Sequence, residues 1–408
     1  MKPKTSILIF LAALSLVRAV AQPIGRREAL QRARAFMQAK GHEVALQTIP
    51  ARAPGIGDGV QAPYYIFNAV GEKGFVIVGG DERLPAVLAY SLKDSFVEGQ
   101  MPPNMQAWLS GYAAYVDYVQ RHDVVFAQEV MADLGAPIVP QTRSLWDQTG
   151  PFNAALPIVS SYLDEACTQV NRKPERGVTG CAATALAQVL YYWKYPERTM
   201  TEIPARTDLV WQSMDTGSSG KAYPTWLQFS QEAIPAGMAI EWDRMLDCYV
   251  ERNADGSLVV DEEGKHVPTG TVEQQAAVAR LMQVCSAAIQ TKYGPAFVGG
   301  SGASDHNVLR GLYNYLGLPN VKLCEQDYYG REQWLRALYD ELQHAHAVFF
   351  SGISTEGGHA FVIDGYDGED FFSVNWGWSG KGNGFYRIAN LQPRGMGGIG
   401  NGQWIMDN

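Results

Sequence analysis

The stretch Thr179-Gly180-Cys181-Ala182-Ala183-Thr184-Ala185-Leu186-Ala187-Gln188-Val189-Leu190-Tyr191-Tyr192 decides the fold. From the cysteine onward its small and apolar residues favour a helix, which Pro196 ends. The glycine before the cysteine lets the backbone turn sharply into that helix. Cys181 would then lie at the helix N-terminus, where free N–H groups and the helix dipole favour the thiolate, the nucleophilic form of cysteine. We therefore predict a central helix with a reactive thiol in its first turn.

Two strand-like segments far downstream carry further polar residues. They are Gly357-Gly358-His359-Ala360-Phe361-Val362-Ile363-Asp364-Gly365-Tyr366 and Phe371-Phe372-Ser373-Val374-Asn375-Trp376-Gly377-Trp378, separated by the turn sequence Asp367-Gly368-Glu369-Asp370. Antiparallel strands joined by such a turn place residues on either side of it next to each other. We therefore expect His359 and Asn375 to lie close together in a hairpin.

Cysteine, histidine and asparagine in this order suit nucleophilic catalysis. A thiolate needs a partner that takes its proton and later protonates a leaving amine, and the imidazole of His359 suits this near neutral pH. The carbonyl of Asn375 can accept from the other ring nitrogen and so fix the tautomer and orientation of the imidazole. Trp376 is expected to shield that hydrogen bond from water. Gln148, upstream of the nucleophile, is expected to join the Cys181 N–H as a donor to a developing oxyanion.

Five segments of the chain resemble, in the same order, the streptopain family of cysteine peptidases, which are distant relatives of papain. They are Trp146-Asp147-Gln148 with Pro151-Phe152-Asn153, Gly180-Cys181-Ala182-Ala183-Thr184-Ala185, Tyr293-Gly294-Pro295, Gly358-His359-Ala360-Phe361-Val362-Ile363-Asp364-Gly365 and Val374-Asn375-Trp376-Gly377-Trp378. One such segment alone is a weak signal, whereas five in family order are a strong one. The family usually has tyrosine at Phe152, and no catalytic position is substituted.

The resemblance implies an α+β fold, in which a papain-like catalytic domain (a helix that carries the cysteine, plus antiparallel sheet) follows a small α+β prodomain. It also implies an enzyme that needs no cofactor or metal and prefers an apolar residue just upstream of the scissile bond. The residues that it assigns are Cys181 as nucleophile, His359 as general base, Asn375 as its orienting partner, Gln148 as oxyanion donor, and Ser301 and Gly358 in the substrate cleft.

Length and composition fit a protein of two or more domains. The chain has 408 residues, of which 46% are hydrophobic and 18% charged, and a formal net charge of −9. No extended basic face is visible, so the sequence argues against a nucleic-acid partner. The expected partners are protein or peptide substrates and the chain's own prodomain.

The first 21 residues read as a secretory signal peptide. Lys2 and Lys4 precede a short apolar run, which Ala19-Val20-Ala21 follows as a small-x-small cleavage site. A membrane anchor is the alternative, but the run is too short to span a bilayer and Arg18 interrupts it. We therefore expect a secreted protein without stable membrane anchoring.

The five cysteines are an odd number for an exported protein, which indicates at least one free thiol. Their irregular spacing shows no CxxC pair and no disulfide framework. Cys248, Cys285 and Cys324 lie in apolar contexts typical of core residues. A pairing of Cys167 stays open, and our prediction is that the chain has no disulfide.

The chain divides into a signal peptide (residues 1–21), an inhibitory prodomain (residues 22–143) and a papain-like peptidase domain (residues 144–408). The middle part has two helical and three strand-like segments, no cysteine, and histidines only in polar surroundings. A module without chemical groups before a thiol enzyme is typical of a prodomain, and the resemblance implies the same. A permanent folding or adhesion domain is the alternative. The join Gly135-Ala136-Pro137-Ile138-Val139-Pro140-Gln141-Thr142-Arg143 is predicted to be an exposed cleavage region.

Several other patterns are weaker candidates for sites. The acidic segment around Asp261 fails the spacing of a calcium loop and is predicted to be a surface hairpin. His344 and His346 lack further ligands at metal-binding spacing, and Gly299-Gly300-Ser301-Gly302 lacks the lysine and helix of a phosphate loop. The glycine-rich tail from Gly395 to Gly402 is predicted to be flexible; by the resemblance it gates the substrate cleft, and disorder is the alternative.

The sequence thus predicts a secreted cysteine endopeptidase made as a zymogen, which forms a thioester acyl-enzyme through Cys181 and His359. One alternative is an acyltransferase or transglutaminase-like use of the same triad. Another is a secreted binding protein whose site is dormant.

Overall fold

A computed structural model describes residues 23–49, 62–71, 73–83, 85–96, 101–122, 133–162, 173–215, 222–253, 258–262, 266–296, 300–354, 357–388 and 398–406. The predicted signal peptide and Cys167 lie outside these residues. The predicted α+β class is confirmed. The helices are α1 (Arg26–Ala39), α2 (Pro103–His122), α3 (Cys181–Trp193), α4 (Val272–Ala288), α5 (Asp305–Tyr315) and α6 (Arg331–Gln343).

Every pairing between the named strands is antiparallel. A ten-stranded sheet has the order β1-β2-β3-β4-β13-β12-β11-β10-β14-β9 and a four-stranded sheet the order β6-β5-β8-β7. The strands are β1 (Leu46–Ile49), β2 (Tyr64–Ala69), β3 (Phe75–Gly79), β4 (Val87–Ser91), β5 (Ile158–Tyr162), β6 (Glu175–Arg176), β7 (Arg206–Asp215), β8 (Ala222–Gln231), β9 (Lys322–Glu325), β10 (Val348–Ser354), β11 (Gly357–Tyr366), β12 (Phe372–Asn375), β13 (Gly384–Tyr386) and β14 (Gly398–Met406).

The large sheet joins the N-terminal unit, which runs from α1 to α2, to the C-terminal part of the chain. Strand β4 pairs with β13, with Tyr90 opposite Phe385 and Ala89 opposite Tyr386. The Arg387 N–H continues the ladder by donating to the Leu88 carbonyl. The N-terminal unit therefore extends the sheet that carries the candidate histidine and asparagine.

Strand β11 separates two large apolar cores. Ala360 and Val362 face the core that contains α3, α4 and α5. Phe361 and Ile363 face the other core, which contains α2 and α6. Successive side chains of a strand point to opposite faces of the sheet, so β11 is buried on both faces. One face of β11 therefore meets the cysteine helix, whereas the other meets the N-terminal unit.

The predicted central helix is confirmed, since α3 begins at Cys181 and ends at Trp193, before Pro196. The predicted flexibility of the glycine-rich tail is wrong from Gly398 onward, because those residues form β14 between β10 and β9. Residues 389–397 lie outside the described part. Cys181, Cys248 and Cys285 are free thiols. Within the described residues, no helix has both the length and the apolar character that a membrane crossing requires.

Candidate active site

Cys181 is the first residue of α3, and the backbone before it has a conformation that favours glycine. Gly180 has a φ of 81°, and a Cβ atom there would lie 2.5 Å from the Ser301 carbonyl oxygen. A larger residue would be strained and would also push the Ser301 segment away. The sequence Gly180-Cys181 therefore lets this neighbouring loop pack directly against the start of the helix.

The Cys181 thiol is partly buried, and its burial raises its pKa above the ordinary value. The backbone N–H groups of Ala360, Ala182 and Cys181 itself oppose this effect, while the nearby negative charge of Asp305 adds to it. The prediction that this position favours the thiolate is wrong, because burial raises the pKa of the Cys181 thiol. Removal of the thiol from water raises its pKa by more than the N–H groups at the helix N-terminus lower it.

His359 and Asn375 lie on the two strands of the predicted hairpin, but they are not opposite each other. Asn375, the last residue of β12, is paired with Val362, while His359 is paired with Gly352 on the other side of β11. Val362, the partner of Asn375, lies three residues after His359, which corresponds to about 10 Å along the strand. The hairpin itself is confirmed.

The Asn375 side chain is fixed by groups close to it in the fold. Its Nδ2 donates to the Ser144 carbonyl at 2.7 Å and, more weakly, to Thr142 Oγ1 at 3.5 Å. Its Oδ1 accepts from the Gly377 N–H at 3.2 Å. A carbonyl can only accept and an N–H can only donate, so these partners determine which way the amide points. Among the described residues Gly377 is the one donor to Oδ1, so a second lone pair can accept a further hydrogen bond.

Gln148 is buried next to the segment that leads to the nucleophile. Its carbonyl accepts from the Thr179 N–H at 3.1 Å, and its own N–H donates to Asp147 Oδ1 at 2.6 Å. The other carboxylate oxygen of Asp147 accepts from Ser379 Oγ at 2.9 Å. The loop that carries Gln148 is thus tied both to the approach to Cys181 and to the segment after β12.

Trp376 is almost fully buried in the core that contains α2. Its ring centroid is 4.8 Å from that of Phe361 and 5.0 Å from that of Tyr386, and its Nε1 donates to the Gly382 carbonyl at 3.1 Å. Trp376 follows Asn375 directly, but its ring packs among aromatic side chains on the α2 side of the sheet.

The two predicted cleft residues differ in their surroundings. Gly358 is exposed on β11, next to His359. The Ser301 hydroxyl donates to the Val178 carbonyl at 2.6 Å and accepts from the Gly294 N–H at 2.9 Å. Its contacts therefore hold the approach to Cys181 against the Tyr293-Gly294 segment.

Sequence reasoning missed Asn104, at the start of α2. Its Nδ2 donates to the Trp376 carbonyl at 2.8 Å and lies 3.4 Å from the Ala360 carbonyl. Asn104 is 1% exposed, so these contacts are shielded from water. The only signal in the sequence is a polar residue at the start of an apolar helix, which ordinarily indicates a cap.

A second group that sequence reasoning missed lies around Asn375. The Ser144 hydroxyl donates to Gln188 Oε1 on α3 at 3.2 Å, and the Thr142 hydroxyl donates to Asp364 Oδ2 on β11 at 2.5 Å. Residues 142–144 thus connect the cysteine helix, the histidine strand and the asparagine. Among the described residues, no cluster of three or more His, Cys, Asp or Glu side chains is arranged to hold a metal ion.

Comparisons with known proteins bear on the same parts of the chain. A model of the Peptidase C10 family matches residues 146–386, and a model described as Spi protease inhibitor matches residues 21–116. Streptopain from Streptococcus pyogenes is 28% identical over 341 residues, which cover 82% of this chain and 75% of streptopain.

Two further relatives span both parts. The thiol protease/hemagglutinin PrtT of Porphyromonas gingivalis is 25% identical over 405 residues, or 95% of this chain and 41% of that protein. A solved fragment of prointerpain A from Prevotella intermedia, with one cysteine mutated to alanine, superposes with a TM-score of 0.65 and 26% identity. That match covers 88% of this chain and 98% of the fragment.

Proposed function

Because the chain belongs to the Peptidase C10 family, we propose that Cys181 is its nucleophile, His359 its general base and acid, and Asn375 the group that orients the imidazole. The chain is a cysteine endopeptidase made as a zymogen. The observation that carries the proposal is the position of Cys181 at the N-terminus of α3, with the N–H of Ala360, the residue after His359, directed at its sulfur.

The proposed reaction uses these groups in two steps. The Cys181 thiolate attacks a peptide carbonyl carbon, and the protonated imidazole of His359 gives its proton to the leaving amine as the C–N bond breaks. Water then attacks the thioester carbon and gives a proton to His359, the C–S bond breaks, and the acid leaves as the thiolate and the protonated imidazole form again. The Cys181 N–H and the Gln148 side chain donate to the oxyanion in both steps.

The remaining site residues have supporting roles in this proposal. Trp376 is proposed to shield from water the hydrogen bond that His359 and Asn375 form once the N-terminal unit has left, and Gly358 and Ser301 line the cleft that receives the substrate. An apolar substrate residue just upstream of the scissile bond is the proposed preference. An exposed glycine beside the histidine supports this assignment, because it lets a substrate backbone approach closely.

The N-terminal unit inhibits the same chain, and we propose that Asn104 is central to this inhibition. The side-chain N–H group of Asn104 donates to the backbone carbonyls of Trp376 and Ala360, the residues that follow Asn375 and His359. The alternation of β11 directs the His359 side chain to the face of Phe361, whereas Cys181 packs against the core on the Ala360 face. Nucleophile and base thus face different sides of β11 in the chain that carries the N-terminal unit, and burial raises the pKa of the thiol.

Residues 1–21 are proposed to be a signal peptide that directs export, so that the peptidase acts outside the cytoplasm. A prodomain in residues 22–143 and a peptidase domain in residues 144–408 remain our division of the sequence. The exact join depends on the contacts of residues 138–144.

Replacement of the nucleophile tests the proposal. We expect purified wild-type precursor to convert itself to a shorter active form that hydrolyses casein, whereas the Cys181→Ala precursor does neither. Cys248→Ala is the matched control, because Cys248 is also a free and partly exposed thiol. Retention of casein hydrolysis by Cys181→Ala, or its loss in the control alone, would contradict the assignment.

A further inference from the structure

Residues 138–144, which we call the strap, pack on the peptidase rather than on the N-terminal unit. The N–H and the carbonyl of Ile138 both bond to Tyr366 of β11, at 2.7 and 2.9 Å. The Gln141 N–H donates to the Asp364 carbonyl at 2.9 Å, and its side chain donates to the Leu342 carbonyl at 2.6 Å. The predicted exposed join is therefore, in this part, an extended segment paired with β11.

The contact between the strap and β11 is close enough to require glycine on the strand. A Cβ atom at Gly365 would lie 2.9 Å from the Ile138 carbonyl oxygen and 3.0 Å from the nitrogen of Pro140. Real Cβ atoms essentially never come this close to backbone atoms. The surface of β11 is thus shaped to receive the strap.

The end of the strap enters the candidate active site. The Thr142 N–H and hydroxyl both donate to Asp364 Oδ2, at 2.9 and 2.5 Å. That hydroxyl and the Ser144 carbonyl in turn accept from the Asn375 amide. Ser144 is 1% exposed and its hydroxyl donates to Gln188 on α3.

We infer that the strap stays on the mature peptidase and that Thr142 is a positioning residue, which holds the Asn375 amide in the orientation that presents Oδ1 to the histidine. This inference rests on the proposed role of Asn375. The cleavage that releases the prodomain accordingly falls at or before Ile138, which moves the join upstream of the predicted boundary after Arg143.

Cleavage between Arg143 and Ser144 would damage the site. It would remove Thr142 and both of its bonds to Asp364, and it would place a charged amino group on the buried residue Ser144. An ammonium group in such a position is unfavourable unless it is paired. The Asn375 amide would also lose one of the two oxygens that fix it.

The N-terminus of the mature enzyme is the first test. Wild-type precursor is allowed to mature, and the product is analysed by intact mass and N-terminal sequencing. We expect the N-terminus at or before Ile138, together with full peptidase activity. An active product that begins after Ile138 would overturn the retention of the strap.

Variants of Thr142 in the full-length chain test its positioning role. We expect Thr142→Val to lower kcat about tenfold with KM unchanged, because one fixed hydrogen bond at the asparagine is lost. Thr142→Ser keeps the hydroxyl and should restore kcat. Thr207→Val, at an exposed threonine that bonds Ser230 at 2.8 Å in the small sheet, is the matched control and should have normal kinetics.

The outcomes separate the inference from the proposed function. A wild-type kcat in Thr142→Val, or a loss that Thr142→Ser does not restore, would overturn the positioning role even if melting temperatures change. Neither result affects the assignment of Cys181, which the Cys181→Ala precursor tests independently.

Discussion

The Asn104 side chain donates a hydrogen bond of 2.8 Å to the Trp376 carbonyl. The same amide nitrogen lies 3.4 Å from the Ala360 carbonyl. Trp376 is the first residue after β12 and follows the proposed orienting asparagine, and Ala360 follows the proposed general base along β11. A single residue of the N-terminal unit therefore bridges the two strands at the point where the catalytic groups must meet.

Replacement of Asn104 by alanine should accelerate maturation. Two buried carbonyls would lose their donor, and each unsatisfied buried group costs about 1–3 kcal/mol. This weakens the docked state of the N-terminal unit relative to the released state. We expect the Asn104→Ala precursor to convert to the mature form several-fold faster than wild type in a gel time course.

Gln106→Ala is the control for this experiment, because Gln106 is exposed on the same turn of α2. It should mature at the wild-type rate. An Asn104→Ala precursor that melts at a lower temperature but matures no faster would show that the amide contributes stability only, not inhibition.

A charged contact on the other side of the N-terminal unit should contribute strongly to its docking. Lys40, at the end of α1, lies 2.9 Å from Asp367 and 3.1 Å from Glu369 in the turn between β11 and β12. The side chains of Lys40 and Asp367 are only 15% and 4% exposed. Tyr90 of β4 also donates to Asp367, at 2.9 Å.

Removal of this lysine leaves a buried carboxylate without its cation. In the Cys181→Ala background, where no maturation occurs, we expect Lys40→Met to lower the free energy of unfolding by roughly 3 kcal/mol. Denaturant titration measures this change. The exposed pair of Lys194 and Asp243 offers a control, since Lys194→Met should change stability by less than about 1 kcal/mol. Equal effects of the two variants would contradict the importance of burial.

The sequence predicted the elements that carry the chemistry, because their signals are local. Gly180 followed by a long run of small and apolar residues specifies a helix that starts at Cys181, and the turn after Tyr366 specifies the hairpin of β11 and β12. The offset between His359 and Asn375 was not predictable, because strand register depends on where each strand ends and on what packs against it.

Contacts between distant segments left no recognisable pattern. Strands β4 and β13 are apolar segments like any other, and nothing in either one shows that they pair across the two parts of the chain. The strap looked like an exposed loop because it contains prolines, yet its backbone pairs with β11. The tail from Gly398 became a strand despite its glycines, since pairing with strands on both sides satisfies its backbone without help from side chains.

The reactivity of Cys181 in the precursor should be low at neutral pH. Burial and the charge of Asp305 raise the pKa of this thiol, so the thiolate fraction at pH 7 is smaller than in an ordinary cysteine. The rate of alkylation by iodoacetamide should rise about tenfold per pH unit until the pKa is reached. Mass spectrometry of the peptide that contains Cys181 distinguishes its labelling from that of other cysteines.

Neutralisation of the neighbouring carboxylate tests the electrostatic part of this effect. Asp305→Asn should lower the pKa of Cys181 and speed its alkylation in the precursor, whereas the exposed Asp327→Asn should not. An unchanged rate in Asp305→Asn would leave burial as the sole cause of the raised pKa.

The carboxyl of Asp364 should make the stability of the chain depend on pH. Asp364 is 2% exposed, and burial raises its pKa even though Thr142 donates two hydrogen bonds to Oδ2. Its Oδ1 is buried without a hydrogen-bond partner among the described residues. A raised pKa means that the folded state holds the proton more tightly than the unfolded state, whose pKa is about 3.9. The stabilisation from this group is therefore complete below about pH 3.9 and is lost as pH rises through the folded pKa.

Asp364→Asn removes this titration and keeps an oxygen that can accept from Thr142. In the Cys181→Ala background, we expect the melting temperature of Asp364→Asn to increase relative to that of the parent as the pH rises from 4 to 7. Asp243→Asn, at a side chain that is 94% exposed, is the control: its melting temperature should differ from that of the parent by the same amount at every pH in this range. A difference between Asp364→Asn and the parent that stays constant with pH would mean that Asp364 has the same pKa in the folded and unfolded states. In that case the bonds from Thr142 would offset the cost of burying its charge, and the strap would stabilise the carboxylate rather than the carboxylic acid.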